Sequence, residues 1–438
     1  MLPNGTTSAL VVGVGLLLVT LLAITAGTKK PDAPVGAVTR MLSVGFAYLI
    51  VIFSVFSNGG MNLLGLVLLA IALLIPIAAS YWTVTAIAGP LGAPRLSPPT
   101  LRLLQLVGAL AGFLIIAIQL IAAGRVISLL GGLNPAWVTA ALGITVALYV
   151  LSRGWRGASR TSRWSLLFVV LAVLVFIAGI VLGKIASLGT PALPTQGYSV
   201  GVIVSVFVVV FAVGACDAVL LRSLRSSSQP VRSAIGGGAL ILGTVVALGL
   251  GLLLFFGGSF FAPAEPVFTV ISGLGPIGLA IVSGLFVMLL ASTTDTYLAA
   301  TGDAIADAFA GPNGQAHDSL RSKSVIVVGV LAIVVALFAP DITALFALAA
   351  ILSAAGLGVV LVHRSGNQAP PPLSLVIGVT AGLVVAVIAG LTQTLCFGPW
   401  TSLAVALSFA IAYFAAFIAK NATHPTNADE VTEESTVG

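Results

Sequence analysis

Five consecutive hydrogen-bonding side chains, Ser292-Thr293-Thr294-Asp295-Thr296, interrupt a segment (276–301) that is otherwise almost wholly apolar. Hydroxyls and a carboxylate destabilise an apolar helix unless they face a bundle interior or a water-filled path, so the string is a candidate site on energetic grounds alone. In helical phase Ser292, Asp295, Ala299 and Asp303 share one stripe, with Thr296 beside it. These residue types suit the dehydration of a hard cation. Sodium takes oxygen ligands, and two hydroxyls on one helix, with backbone carbonyls of a facing, locally unwound helix, replace its water shell. Ser292 and Thr293 fit that role. The competing reading has each hydroxyl bond back to the carbonyl four residues earlier, or across to a neighbouring helix. It accounts for one isolated Thr better than for this run.

The elements that must position these residues are membrane helices. With 59% hydrophobic residues, 7% charged residues and a mean hydropathy of +1.20, the 438-residue chain belongs in a bilayer. Apolar windows of about 20 residues number about thirteen. They fall near 8–27, 37–57, 61–89, 101–130, 134–152, 164–187, 198–221, 234–258, 276–310, 324–339, 342–362, 373–394 and 399–419. The runs are apolar on both faces, which excludes the alternating strands of a β-barrel. The first window has no Lys or Arg before it, so it reads as a helix and not as a cleaved leader. The fold class is therefore an all-α polytopic membrane protein. A single transmembrane transporter domain is expected over 1–420, followed by a disordered acidic cytoplasmic tail over 421–438.

Charge fixes the expected orientation. With thirteen spans and the N-terminus outside, every Lys and Arg except Arg125 and Lys184 falls on the cytoplasmic side, as the positive-inside rule requires. That reading places the chain in the cytoplasmic membrane, with a cytoplasmic C-terminus. The net charge of +6 is then a topological device, and nucleic acid is not an expected partner. Two cysteines, Cys216 and Cys396, make no disulfide framework. No metal triad, nucleophile motif or nucleotide loop is present, so neither an enzyme nor a cofactor is expected. Asp217, near the end of the seventh span, reads as an interfacial or salt-bridging residue. Gln119 is a single polar group facing an undefined direction.

Three segments carry a resemblance. STTDTYLAATGDAIADAF (292–309) is similar to the ninth-helix pattern of the sodium:solute symporters, and GACDAVLLRSLRSSSQPVRSAIGGGALI (214–241) resembles the end of their seventh helix and the basic loop after it. SRGWRGASRT (152–161) resembles the loop after the fifth helix, although the acidic residue that usually follows the Thr is replaced by Ser162 and Arg163. The resemblance implies a leucine-transporter-like 5+5 inverted-repeat core over about 37–362. It also implies a sodium site made by the Ser292 and Thr293 hydroxyls, the carbonyl of Leu289 and carbonyls of a broken second helix. Counting without gaps places those last carbonyls at Phe53 and Phe56, and the break could equally lie within Ser57–Gly60. Asp295, Thr296, Ser57 and Asn58 are the candidates for substrate contact or gating.

The expected function is sodium-coupled symport of a small organic solute by alternating access, with sodium, the solute and membrane lipid as partners. The alternatives are a proton-coupled carrier titrating at Asp295 or Asp303, an uncoupled carrier of the same fold, and a membrane scaffold or sensor that has kept the fold and lost transport.

Overall fold

The computed structural model describes residues 20, 34–56, 61–88, 98–131, 133–181, 198–255, 259–260, 275–311, 314–338, 341–364, 371–391, 397 and 399–422. Most of the expected first span, the tail beyond 422, and Ser57 and Asn58 lie outside these residues. Within them each apolar run is helical, the form in which a lipid-embedded backbone satisfies its own polar groups. The helices are α1 (Pro34–Phe56), α2 (Leu63–Ala88), α3 (Pro98–Gly131), α4 (Pro135–Val181), α5 (Val200–Cys216), α6 (Ala218–Arg225), α7 (Pro230–Phe255), α8 (Gly275–Ala310), α9 (Gln315–Phe338), α10 (Ile342–Arg364), α11 (Pro372–Leu391) and α12 (Pro399–Ala422). Six of them begin on proline, whose fixed φ and missing N–H are tolerated in a first turn. One two-residue ladder, β1 (Met61–Asn62) against β2 (Ser259–Phe260), joins the segments after α1 and α7.

Two joints depart from the sequence expectation. The fifth and sixth expected spans run together as α4, and the joint is Gly154, at φ 53 and ψ −140. A side chain there would be strained and would meet the Arg321 guanidinium at 2.6 Å. The seventh expected span is two helices, α5 and α6, bent by 50° on either side of Asp217. By contrast α1 is helical through Phe53 and Phe56. The described break thus lies in the seventh span.

Among the described residues six helices are each long and apolar enough to cross a membrane, and α5 with α6 makes a seventh. The spanning windows of α3 and α10 are 83% buried, whereas those of α9 and α12 are 28% buried. The first two are therefore the interior helices and the last two face outward. α8 packs most extensively on α3 and α4, and also touches α1, α6 and α9. The polar string of α8 is thus inside the bundle, where its hydroxyls find partners.

Candidate functional site

Ser292, Thr293, Thr294, Asp295 and Thr296 are each no more than 1% exposed. Their helical phase divides them among three environments. Thr294 turns back on its own helix, donating to the Leu290 carbonyl at 2.7 Å. Ser292, Thr293 and Thr296 face α1 and the second half of α4. Asp295 faces α4 on either side of its joint.

The first group forms a cluster of hydroxyls and carbonyls. The Thr293 hydroxyl lies 2.9 Å from the carbonyl of Leu289 and 3.4 Å from that of Ser43 on α1. Ser43 Oγ stands 3.4 Å from Ser292 Oγ and donates to Ser162 Oγ at 3.1 Å. Ser292 Oγ also approaches Ser162 Oγ at 3.4 Å. Ser162 in turn donates to the Ala158 carbonyl at 2.8 Å and lies 3.2 Å from Thr296 Oγ1, which donates to the Ser292 carbonyl at 2.7 Å. Oxygens that share a hard cation at about 2.4 Å stand about 3.4 Å apart at right angles. The longer separations between Ser43 and the α8 hydroxyls match that spacing. These oxygens, with no net charge among them, have the chemistry of a monovalent-cation site.

Beside it, Asp295 Oδ2 accepts from Tyr149 Oη at 2.7 Å and from Thr161 Oγ1, while Thr296 Oγ1 lies 3.0 Å from Oδ1. Thr161 also bonds the Ala158 carbonyl at 2.9 Å. The sequence lacks an acidic residue after Thr161, yet the structure gives Thr161 a carboxylate partner from α8.

The sequence-derived candidates are therefore only partly brought together. Leu289, Ser292, Thr293, Asp295 and Thr296 converge. Phe53 and Phe56 lie ten and thirteen residues beyond Ser43, about 15–20 Å along α1 at the helical rise. Ser43 entered no sequence argument, and Ser162 entered only as the residue standing where an acidic one is usual. Each is one small hydroxyl in a segment whose facing partner only tertiary structure defines. The substrate or gating candidates Ser57 and Asn58 fall outside the described residues.

A second polar junction lies five residues further along α8. Asp217, 1% exposed, is the hinge between α5 and α6. Its Oδ1 accepts from the amides of Val219 and Leu220, both at 2.9 Å, which caps α6. Its Oδ2 accepts from Tyr297 Oη at 2.6 Å and Tyr48 Oη at 3.2 Å. Gly214 allows α5 to approach the Pro76 backbone of α2, and Ser80 of α2 donates to the Gly214 carbonyl. The expected interfacial or ion-paired Asp217 is instead a buried carboxylate that forms no ion pair among the described residues. The available signal was an N-cap type, Asp followed by Ala-Val-Leu-Leu, in the middle of an apolar run. The ion pairs of α8 lie further on: Asp303 meets Arg222 at 2.9 Å and Arg321 at 3.8 Å, and beyond them Asp307 hydrogen-bonds His317 at 2.9 Å.

The described residues thus make a nearly all-helical, multi-pass membrane bundle, with one helix broken at a buried carboxylate and an interior helix lined with hydroxyls. Two solved structures share the fold. A Na+-coupled sialic acid symporter, in a substrate-bound outward-open state, superposes with a TM-score of 0.62 at 15% sequence identity, over 96% of this chain and 98% of that one. MhsT in complex with L-phenylalanine superposes with a TM-score of 0.52 at 17% identity, over 91% of this chain and all of that one. No protein-family model matches the sequence, and no curated protein does.

Proposed function

We propose that the chain is a sodium-coupled symporter of a small organic solute, related to the sodium:solute symporters, working by alternating access in the cytoplasmic membrane with its N-terminus outside. The observation that carries the reading is the convergence of Thr293 Oγ1, Ser292 Oγ and the carbonyl and hydroxyl of Ser43 between α1 and α8. Sodium binds there, with the Leu289 carbonyl and Ser162 as further oxygens, and the Ser43 segment takes the place expected for Phe53 and Phe56. The name of one fold relative, a Na+-coupled symporter, supports the choice of ion. Sodium couples α1 to α8 because its ligands come from both helices. It favours whichever state holds them together, and can act only through that difference in affinity.

The test is solute uptake into proteoliposomes with and without an inward sodium gradient, across a broad solute panel. Uptake that rises with the gradient, with Ser292→Ala and Thr293→Ala each raising the sodium concentration for half-maximal transport, is the expected result. Uptake that ignores sodium, follows pH and fails in Asp295→Asn would replace sodium by a proton.

A further inference from the structure

A carboxylate adjoins the hydroxyl cluster between α1, α4 and α8. Asp295 is fully buried and forms no ion pair among the described residues, whereas Asp303 on the same helix lies between Arg222 and Arg321. Its hydrogen-bond partners are hydroxyls. Tyr149 Oη, at 2.7 Å, and Thr161 Oγ1 meet Oδ2, one from each side of the α4 joint, and Thr296 Oγ1 meets Oδ1 at 3.0 Å. Oδ1 thus has a single partner, and that partner belongs to the cluster. Thr296 Oγ1 stands 3.2 Å from Ser162 Oγ, which stands 3.1 Å from Ser43 Oγ and 3.4 Å from Ser292 Oγ. Ser162 is therefore within two hydrogen-bond lengths of the carboxylate, and the Ser43 and Ser292 hydroxyls are within three.

Two deficits face each other along this path. The oxygens of the cluster are neutral, so an ion entering them brings a buried charge that its own ligands do not offset. Asp295 is a buried group of the opposite sign that no cation offsets. One sodium ion relieves both. At a separation of about 6–8 Å and an effective dielectric constant of about 20, opposite unit charges attract strongly enough to change an affinity more than tenfold. The carboxylate also orients the hydroxyl between them. A Thr296 proton directed at Oδ1 leaves the lone pairs of that oxygen on the side of Ser162 and Ser292, the side from which the ion is met. Asp295 does this without touching the ion, and keeps Tyr149 and Thr161 as partners throughout.

We infer that Asp295 is the counter-charge of the sodium site, a positioning residue that sets the affinity for sodium from outside the ion's own oxygens, through Thr296 and Ser162. The inference rests on the reading of the hydroxyl cluster as a sodium site and adds the residue that tunes it.

The experiment uses the purified full-length chain in lipid nanodiscs, with binding read from the thermal shift as sodium chloride replaces choline chloride at constant ionic strength. Asp295→Asn keeps the size of the side chain and an acceptor oxygen and removes the charge. It should raise the sodium concentration for half-maximal stabilisation at least tenfold. Its melting temperature without sodium should equal or exceed that of the wild type, because an unpaired buried charge has been removed. A merely structural role predicts the opposite, a lower sodium-free melting temperature. Thr296→Val keeps the charge and removes the intervening hydroxyl, and should raise the half-maximal concentration by a smaller factor. Asp303→Asn, eight residues further along α8 and already paired with two arginines, should leave it unchanged. If Asp295→Asn does not fold, Thr296→Val against Asp303→Asn decides. Wild-type sodium affinity in folded Asp295→Asn, a sodium-free melting temperature well below the wild type in that variant, or an equal loss of affinity in Asp303→Asn overturns the inference. Failure of the sodium reading itself shows separately, as a wild-type protein whose melting sodium does not move.

Discussion

Around Ser292 and Thr293, α8 meets α1 and α4 through hydroxyls and carbonyls. Five residues further on, Tyr297 helps bring α8, α1 and the α5–α6 break together through one carboxylate. In the first junction three of the five polar residues on α8, Thr293, Thr294 and Thr296, also bond the carbonyl four residues earlier. Those three donors keep a local fallback, so opening the cluster leaves only the Ser43 and Ser292 hydroxyls to find new partners. The second junction has no such reserve. Among the described residues Asp217 is the one hydrogen-bond partner of the Tyr48 and Tyr297 phenols, and it caps α6 as well. The contrast separates a site fit for reversible ligation from one that fastens a helix break.

The hardest test of that contrast is Asp217→Ala. It removes the α6 cap and strands two buried phenols, at about 1–3 kcal/mol for each unsatisfied group and about 1 kcal/mol for the cap. A large loss of thermal stability, against little change for Ser292→Ala, is the expected outcome in matched melts. Similar melting for the two variants would erase the distinction. Next in size is Gly154→Ala. It forces an L side chain into positive φ against the Arg321 guanidinium and should cost about 1–3 kcal/mol, where the same change at a helical glycine with open space, such as Gly243, should be neutral or stabilising.

The sequence revealed the first junction and hid the second for physical reasons. Five polar residues in hydrocarbon are conspicuous whatever the fold, and the twelve apolar runs after the first are helical over their described residues because length and hydropathy suffice to define them. Ser43 was invisible because α1 is apolar nearly all round. Its rotation and depth relative to α8 come only from packing, which an ungapped count along the sequence does not contain. The Asp217 break was hidden because neither Pro nor Gly occupies it. A charged residue close to a basic loop reads as interfacial until Tyr48 and Tyr297 are seen to converge on it. The carboxylate beside Thr161 was looked for on α4, where the family pattern has it, although it comes from α8.

The ion pair between Arg222 and Asp303 sets the scale for ordinary electrostatics on α8. Asp303 is 4% exposed at its side chain and Arg222 35%, so solvent screens one partner. A double-mutant cycle with Arg222→Gln and Asp303→Asn should return a coupling of about 1 kcal/mol, shrinking with salt. A coupling several times larger would mean that this pair, and not Asp217, is the principal fastening of α6 to α8.

The smallest effect is the most diagnostic for the hydroxyl cluster. Thr293 and Thr294 are adjacent, of one chemical type and equally buried, and each bonds back to its own helix. Only Thr293 also reaches α1, at the Ser43 carbonyl. Thr294→Ala should change stability by about 0.5 kcal/mol or less and leave the sodium dependence of uptake unaltered, since the freed carbonyl keeps its helical bond. Thr293→Ala should match it in stability and differ in sodium dependence. Titrating sodium at fixed solute in both variants isolates the one oxygen that faces α1. If the two curves coincide, burial and back-bonding account for the whole string, and the cation must be sought elsewhere.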